Sequence, residues 1–292
     1  MAETQPVVRG RSAARPARPG EGGIVTTPTP YDRAHAAMEA DPDNEALRLA
    51  VYDRLADAEL FLLLESEPED EDITPQIFET EEGEFVLAFD LEERLAEFTG
   101  EPAPYAALPG RVIAQHLAGE GIGLGINLGV ADSAMLLPPE AMDWLADTLT
   151  HAPEASEGRP VAFDAPALPP AVLGLLLPAF EAKFDQLAGL ASAALLGGVT
   201  YDDGRRGHVL AFLGTTQAAR PGIAKAMAEA LAFSGLEAGE LDVTFLAPED
   251  PAAAVLLEKA LVLHLPEPVE GAVQEIKPTA PGMDPSKPPI LR

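Results

Sequence analysis

The sequence predicts an α/β protein, of the α+β kind, with two domains that each hold a mixed β-sheet covered by helices. One observation is the glycine-rich run Gly121–Leu137, where apolar residues alternate with small ones and a helical pattern lies on each side. A second is a proline-rich stretch near residue 160, after which a new series of apolar strands and helices begins. The third is the length of 292 residues, which is enough for two hydrophobic cores.

Composition divides the chain into five segments. Residues 1–29 combine Ala, Pro, Arg and Gly without periodicity, and residues 266–292 contain seven prolines. Such segments bury too little apolar surface to offset their ordering entropy, so we expect two disordered tails. Between them the sequence predicts a first domain at 30–150, a linker at 151–168 and a second domain at 169–265.

The first domain should alternate helices and strands. Leu47, Val51 and Leu55 follow a helical spacing, and Asp90 is expected to cap the helix that ends at Gly100. Gly83 is expected to form a hairpin turn with positive φ. We predict helices at 31–40, 44–57, 90–99, 112–118 and 139–149, and strands at 59–65, 76–80, 84–89, within 121–129 and at 133–137.

The second domain should follow a similar pattern. Its longest helix contains Pro178, where we expect a kink. Arg205 and Arg206 lie in a turn-rich loop between two strands. We expect a solvated hairpin tip, and the alternative is that they bind a carboxylate or a phosphate. We predict helices at 169–186, 222–233 and 251–260, and strands at 190–201, 208–214, 241–247 and 261–265.

The glycines between residues 121 and 129 resemble a phosphate-binding loop only in composition. A dinucleotide fingerprint places its glycines between a strand and a helix, whereas here they alternate with apolar residues inside a strand. Glycine within a strand allows a close approach, and we expect a neighbouring helix to make it. The alternative is a small ligand on the glycine face, with Gly125, Asn127 and Gly129 as its contacts.

Charge and composition exclude several classes of function. Residues 31–150 carry 28 acidic and 5 basic side chains, so the body of the protein should repel nucleic acid. The chain has no cysteine, which excludes disulfides and thiolate catalysis. Its apolar runs are about ten residues long, half of what a bilayer requires. We expect a cytoplasmic protein that binds neither nucleic acid nor membranes.

No catalytic or metal-binding constellation is evident in the sequence. None of the serines lies in a Gly-x-Ser-x-Gly motif, and the five histidines are scattered without metal-ligand spacing. Ser133, Asp132 and His116 are the only residues that suggest a catalytic grouping, and chance explains their proximity better. We therefore predict no catalytic residue, no metal and no cofactor.

Several segments resemble the SseB family, whose name refers to enhanced serine sensitivity. The likeness in the first domain lies in the helix Asn44–Asp57, the stretch FVLAFDLEERLAEFT at 85–99 and the run GLGINLG at 123–129. The family usually has a proline after the asparagine of that run, where this chain has Leu128. The second domain is similar to the family's C-terminal domain through LASAALLGGVTYDD and HVLAFLG. The resemblance implies a cytoplasmic protein linked to serine tolerance, without an established reaction.

Three hypotheses about function follow. The first is a non-enzymatic binding or regulatory protein that contacts another protein or a small metabolite. The second is an enzyme of unrecognised class that acts on a small molecule in the cleft between the domains, with His116, Asn127 or Ser133 in its pocket. The third is an assembly module that dimerises through the helix of Trp144. The oligomeric state and the identity of the ligand or partner are left open.

Overall fold

The computed structural model describes residues 27–67, 73–81, 83–153, 158–236 and 241–266. In the first half the elements are α1 (Pro30–Ala40), α2 (Glu45–Asp57), β1 (Glu59–Leu63), β2 (Ile77–Thr80), β3 (Gly83–Phe89), α3 (Glu92–Thr99), β4 (Tyr105–Pro109), α4 (Gly110–Leu117), β5 (Ile122–Ile126), β6 (Met135–Leu137) and α5 (Pro139–Thr150). In the second half they are β7 (Pro160–Asp164), α6 (Pro170–Phe184), a short 3-10 turn (Asp185–Leu187), β8 (Ala193–Tyr201), β9 (Arg206–Leu213), α7 (Arg220–Ala232), β10 (Leu241–Leu246), α8 (Pro251–Leu257) and β11 (Leu261–Leu263).

The first sheet has the strand order β4-β1-β3-β5-β6, with β2 paired to the first part of β3. β3 and β5 are parallel, and the other pairs are antiparallel. Because β3 and β5 run in the same direction, their carboxyl ends meet at one edge of the sheet. This edge brings together Asp90, which follows β3, and Asn127, which follows β5.

The glycines of β5 make room for the neighbouring strand. The parallel register places Phe85 beside Gly123 and Leu87 beside Gly125. A Cβ atom on Gly123 would meet the Phe85 ring and come within 2.5 Å of the Leu137 carbonyl oxygen. A Cβ on Gly125 would lie 2.6 Å from the Leu87 side chain. The strand prediction is confirmed, but the expectation that a helix makes the close approach is wrong.

The second sheet has the order β10-β9-β8-β11, with β7 paired to the far part of β8. Only β9 and β10 are parallel. One face packs against α6 and α7 through Leu196, Phe180 and Met227, and the other packs against α8 through Leu256. The first sheet is likewise covered on both faces, by α1, α2, α4 and α5 on one and by α3 on the other.

The predicted fold class is confirmed, because the described residues form an α+β protein with two mixed sheets. The proposed tails lie almost entirely outside the described residues. β4 was not predicted, and β7 lies within the stretch expected to be a linker. None of the helices in the described ranges is long and apolar enough to cross a membrane.

Two local predictions need correction. Leu91, not Asp90, is the N-cap of α3, because the Asp90 carboxylate turns away to pair with Arg94. Arg205 is not a free hairpin tip: its guanidinium lies 4.1 Å from the centre of the Tyr201 ring and 3.2 Å from Asp242. Gly83 has the positive φ expected of it, 129°, and Gly100 ends α3 as predicted, with a φ of 68°.

The two halves pack against each other through aromatic residues. Phe233, which follows α7, is buried in the core of the first half. Its ring makes an edge contact with Trp144 of α5, at 6.0 Å between centroids, and Trp144 in turn contacts Tyr52 of α2 at 5.1 Å. Trp144 therefore links α2 of the first half to the residue that follows α7 of the second half.

Candidate functional site

Two acidic residues on one face of α2 begin the candidate site. Asp53 and Asp57 are four residues apart, so they lie on the same side of the helix. Like charges at this spacing destabilise a helix unless a cation compensates them. Lys183 of α6 is that cation: its Nζ lies 2.5 Å from Asp53 and 2.6 Å from Asp57. Lys183 has no exposed surface, so an ammonium group of the second half is buried among carboxylates of the first.

Two further residues complete this interdomain charge cluster. Glu229 of α7 lies 3.4 Å from the Lys183 ammonium. Arg111 of α4 donates hydrogen bonds to both Asp57 and Glu229. Nearby, Arg54 donates to the Ala182 carbonyl oxygen at 2.9 Å. We define the interdomain charge cluster as Asp53, Asp57, Arg111, Lys183 and Glu229.

The pKa shifts in the cluster follow from burial and charge. Burial alone would lower the pKa of Lys183, but the carboxylates of Asp53 and Asp57 raise it above its ordinary value. Burial would raise the pKa of Asp57, but Lys183 and Arg111 outweigh it and hold that pKa low. For Asp53, burial and the charge of Asp57 prevail over Lys183, and its pKa is raised. Every member has a partner of opposite charge, so the cluster joins the two halves.

A cleft between the halves lies beside the cluster and holds two cavities, of about 450 and 590 Å³. Pro30, Arg54, Ala182 and Asp185 line both of them. We call the larger one the cleft cavity. Volumes of this size are typical of small-molecule sites, which occur preferentially between domains.

Tyr31 lines the cleft cavity and has an unusual environment. Its side chain is 1% exposed, and its hydroxyl has no hydrogen-bond partner among the described residues. Burial, together with the charges of Asp90 and Asp32, raises the pKa of Tyr31, so the phenol is neutral at physiological pH. A buried hydroxyl without a partner costs the fold free energy.

A polar network lies at the carboxyl ends of β3 and β5 and reaches the cavity through Thr29 and Asp90. Asn127 accepts a hydrogen bond from the Asp90 backbone N–H and donates one to Ser133, each at 3.1 Å. Ser133 in turn donates to Asp32 at 2.6 Å.

Arg94 closes this network by pairing with both acidic members. It contacts Asp32 at 2.7 Å and Asp90 at 2.6 Å. Burial would raise the pKa of Asp32, but hydrogen bonds from Arg94, Ser133 and Thr29 lower it. The Asp32 carboxyl is therefore ionised, and Arg94 pairs with both Asp32 and Asp90, which suits a rigid wall for the cavity.

The three residues predicted as ligand contacts have different surroundings in the structure. Asn127 is fully buried, with φ of 53°, and its side chain is used within the polar network. Gly125 packs against Leu87, and Gly129 takes a positive φ of 76° with open space around it. None of the three lines either cavity of the cleft.

The residues considered for catalysis come together only in part. Ser133 lies next to Asn127, but the exposed His116 hydrogen-bonds to the Val112 carbonyl oxygen of its own helix. Within the described ranges, no group of three or more His, Asp or Glu side chains is arranged to hold a metal ion.

Sequence reasoning did not find Tyr31 or Lys183. The i,i+4 spacing of Asp53 and Asp57 was the available signal, because it requires a cation from elsewhere in the fold.

Comparison with known proteins gives one match. The family model described as the SseB protein N-terminal domain matches residues 32–144. No curated protein and no solved structure matches the chain. The likeness of residues 169–265 to the family's C-terminal domain therefore stays a prediction. The matched range contains the first sheet, α2 with Asp53 and Asp57, and the polar network at the strand ends. Residues 32–144 are therefore similar to the N-terminal domain of the SseB family.

Proposed function

We propose that the protein is a non-enzymatic, cytoplasmic binding protein whose small ligand enters the cleft between its two halves. The observation that carries this proposal is the cleft cavity of about 590 Å³, whose lining comes from both halves of the chain.

The charge cluster supports the same proposal. Lys183 of the second half pairs with Asp57, which lines the cleft cavity, so the two walls are joined without a ligand. A preformed cavity binds without a large ordering cost. A regulatory role would follow if ligand binding changed the surface that another protein contacts.

The test is a thermal-shift screen of the full chain against a panel of small metabolites. Ligand at about 100 times its dissociation constant should stabilise the protein by about 2.7 kcal/mol, which is a rise of several degrees in Tm. If no member of a broad panel raises Tm, the proposal is contradicted. If the bound compound is converted during incubation, the protein is an enzyme of this cleft and not a binding protein.

Tyr31→Phe measures what the buried hydroxyl costs the fold. Without ligand the variant should be at least as stable as the wild type, because it removes a hydroxyl that has no partner among the described residues. The matched control is Tyr201→Phe, which removes a hydroxyl that donates to Asp242 at 2.5 Å and should therefore lose stability.

A further inference from the structure

β10 forms an edge of the second sheet. It pairs in parallel with β9 and with no other strand in the part of the chain that the structure describes. All six residues of β10 are half-buried, whereas the middle of β9 is buried. The outer backbone N–H and C=O groups of an edge strand are free to pair with a further strand, which can come from another chain.

Four other strands at the edges of the described sheets have features that discourage such pairing. β4 ends at Pro109 and β7 begins at Pro160, and proline supplies no N–H group to a neighbouring strand. β6 and β11 have only three residues each. β10 has six residues without proline or lysine, and Asp242 is its one charged residue. Proline, lysine and shortness, which protect many sheet edges, are thus absent from β10.

The apolar side chains of β10 are only partly covered by their own chain. Leu241, Val243 and Phe245 lie on one face of the strand, where they pack against the core beneath α6 and α7. Leu246 packs on the opposite face with the core beneath α8. Because β10 is the outermost strand, the surface that these side chains leave exposed borders the edge. A strand added there would cover it.

Symmetry makes a second copy of β10 a suitable occupant of this edge. Two identical strands that pair antiparallel around a two-fold axis must place one residue opposite itself. With Val243 on the axis, Leu241 lies opposite Phe245 of the second copy. Asp242 then lies opposite Thr244 of the second copy. Apolar residues therefore meet apolar residues, and the one charge of the strand meets a hydroxyl group.

The charge of Asp242 favours this register over its neighbours. With Asp242 on the axis, two carboxylates would face each other, and with Thr244 on the axis, Asp242 would face Leu246. Registers centred nearer the ends of β10 would pair fewer residues. In the register centred on Val243, the Asp242 carboxylate is also balanced within its own chain by Arg205, at 3.2 Å.

We propose that the protein forms a symmetric dimer in which β10 of two copies pairs antiparallel, with Val243 on the two-fold axis. The pairing joins two five-stranded sheets into one continuous sheet. This inference goes beyond the proposed function and does not depend on it. The dimer also differs from an assembly through the helix of Trp144, which belongs to the first half.

Single-cysteine variants test the register, because the chain itself has no cysteine. Residues directly opposite each other in antiparallel strands have Cα atoms about 4.5 or 5.5 Å apart, within reach of a disulfide. Val243→Cys should therefore cross-link two copies under mild oxidation. Thr244→Cys is the matched control, because its Cα atoms would lie about 8 Å apart, too far for a disulfide. No cross-link in Val243→Cys, or equal cross-linking of the two variants, would overturn the proposal.

Sedimentation velocity of the full chain measures the dimer itself. Each chain has a net charge of −29, so we expect the dimer to form most readily at about 0.5 M salt, where the repulsion between copies is screened. Val243→Lys places two ammonium groups opposite each other and should weaken association about tenfold. Thr244→Lys adds the same charge opposite Asp242 of the second copy and should not weaken it. A wild type that stays monomeric at high concentration, or equal weakening by the two lysines, would contradict the pairing of β10.

Discussion

Asn127 and Tyr31 are both buried polar residues, but their surroundings give them opposite roles. The Asn127 amide oxygen accepts a hydrogen bond from the Asp90 backbone N–H, and its amide nitrogen donates one to Ser133. Tyr31 has no such partner among the described residues. A buried polar side chain that the protein satisfies stabilises the fold, whereas one left unsatisfied costs it free energy. Sequence reasoning selected Asn127 as a ligand contact because a polar residue within a glycine-rich run is conspicuous. It did not select Tyr31, because a tyrosine in a helix is typical of a hydrophobic core.

Substitution of Asn127 tests its structural role. Its φ of 53° suits Asn and Gly but strains Ala by about 1 kcal/mol. Asn127→Gly should cost about 2 kcal/mol, because the Asp90 N–H loses its acceptor, and Asn127→Ala about 3 kcal/mol. Urea denaturation of both variants measures the difference. Equal losses of stability in the two variants would show that alanine adopts the positive φ at position 127 without strain.

At the scale of elements, the pairing of β3 with β5 explains the glycine-rich run. The alternation of residues 122–128 predicted a strand, since period two is a local property of the sequence. The neighbour that requires the glycines could not be predicted, because the parallel register of Phe85 with Gly123 depends on how distant segments pair. The sequence could therefore predict that another part of the chain comes close to these glycines. It could not predict that this part is Phe85 of β3.

Gly123→Ala tests this packing. The added methyl would meet the Phe85 ring and the Leu137 carbonyl oxygen, and the backbone oxygen cannot move aside, so we expect a loss of about 3 kcal/mol. The control is Gly174→Ala in α6, where nothing lies within 4 Å and alanine should stabilise by about 1 kcal/mol. Chemical denaturation measures both, and a Gly123→Ala protein as stable as the wild type would contradict the close packing of β5 against Phe85 and Leu137.

The strands that sequence reasoning did not find share a physical cause. β7 pairs with the far part of β8, and Phe163 is its one buried residue. β4 is also an edge strand, and none of its residues is fully buried. Alternation arises only where one face of a strand packs on a core, so exposed edge strands that contain proline leave little pattern. Their pairing partners are visible only in the folded protein.

For the whole molecule, Lys183 determines how firmly the two halves are joined. Lys183→Met would leave the buried carboxylates of Asp53 and Asp57 without their ammonium partner, which should cost about 3–5 kcal/mol. Lys225→Met is the control, since Lys225 also contacts Glu229 but at 4.0 Å and with its side chain 45% exposed. That loss should stay below about 1 kcal/mol. Similar losses in the two variants, measured by urea denaturation, would contradict the cluster's role.

The pH dependence of this junction gives a test that is independent of packing. The pKa of Lys183 is raised in the folded protein, so its contribution is complete below the unfolded value of about 10.4 and is lost as pH rises toward the folded value. Over that range the stability difference between the wild type and Lys183→Met should shrink by about 1.4 kcal/mol per pH unit.

Tyr31 and Tyr201, whose pKa values are also raised, are present in both proteins, so their effects cancel in the difference. Urea denaturation at pH 8, 10 and 11 measures it. A difference that stays constant would mean that Lys183 joins the two halves by packing alone, since only its charge is removed at high pH.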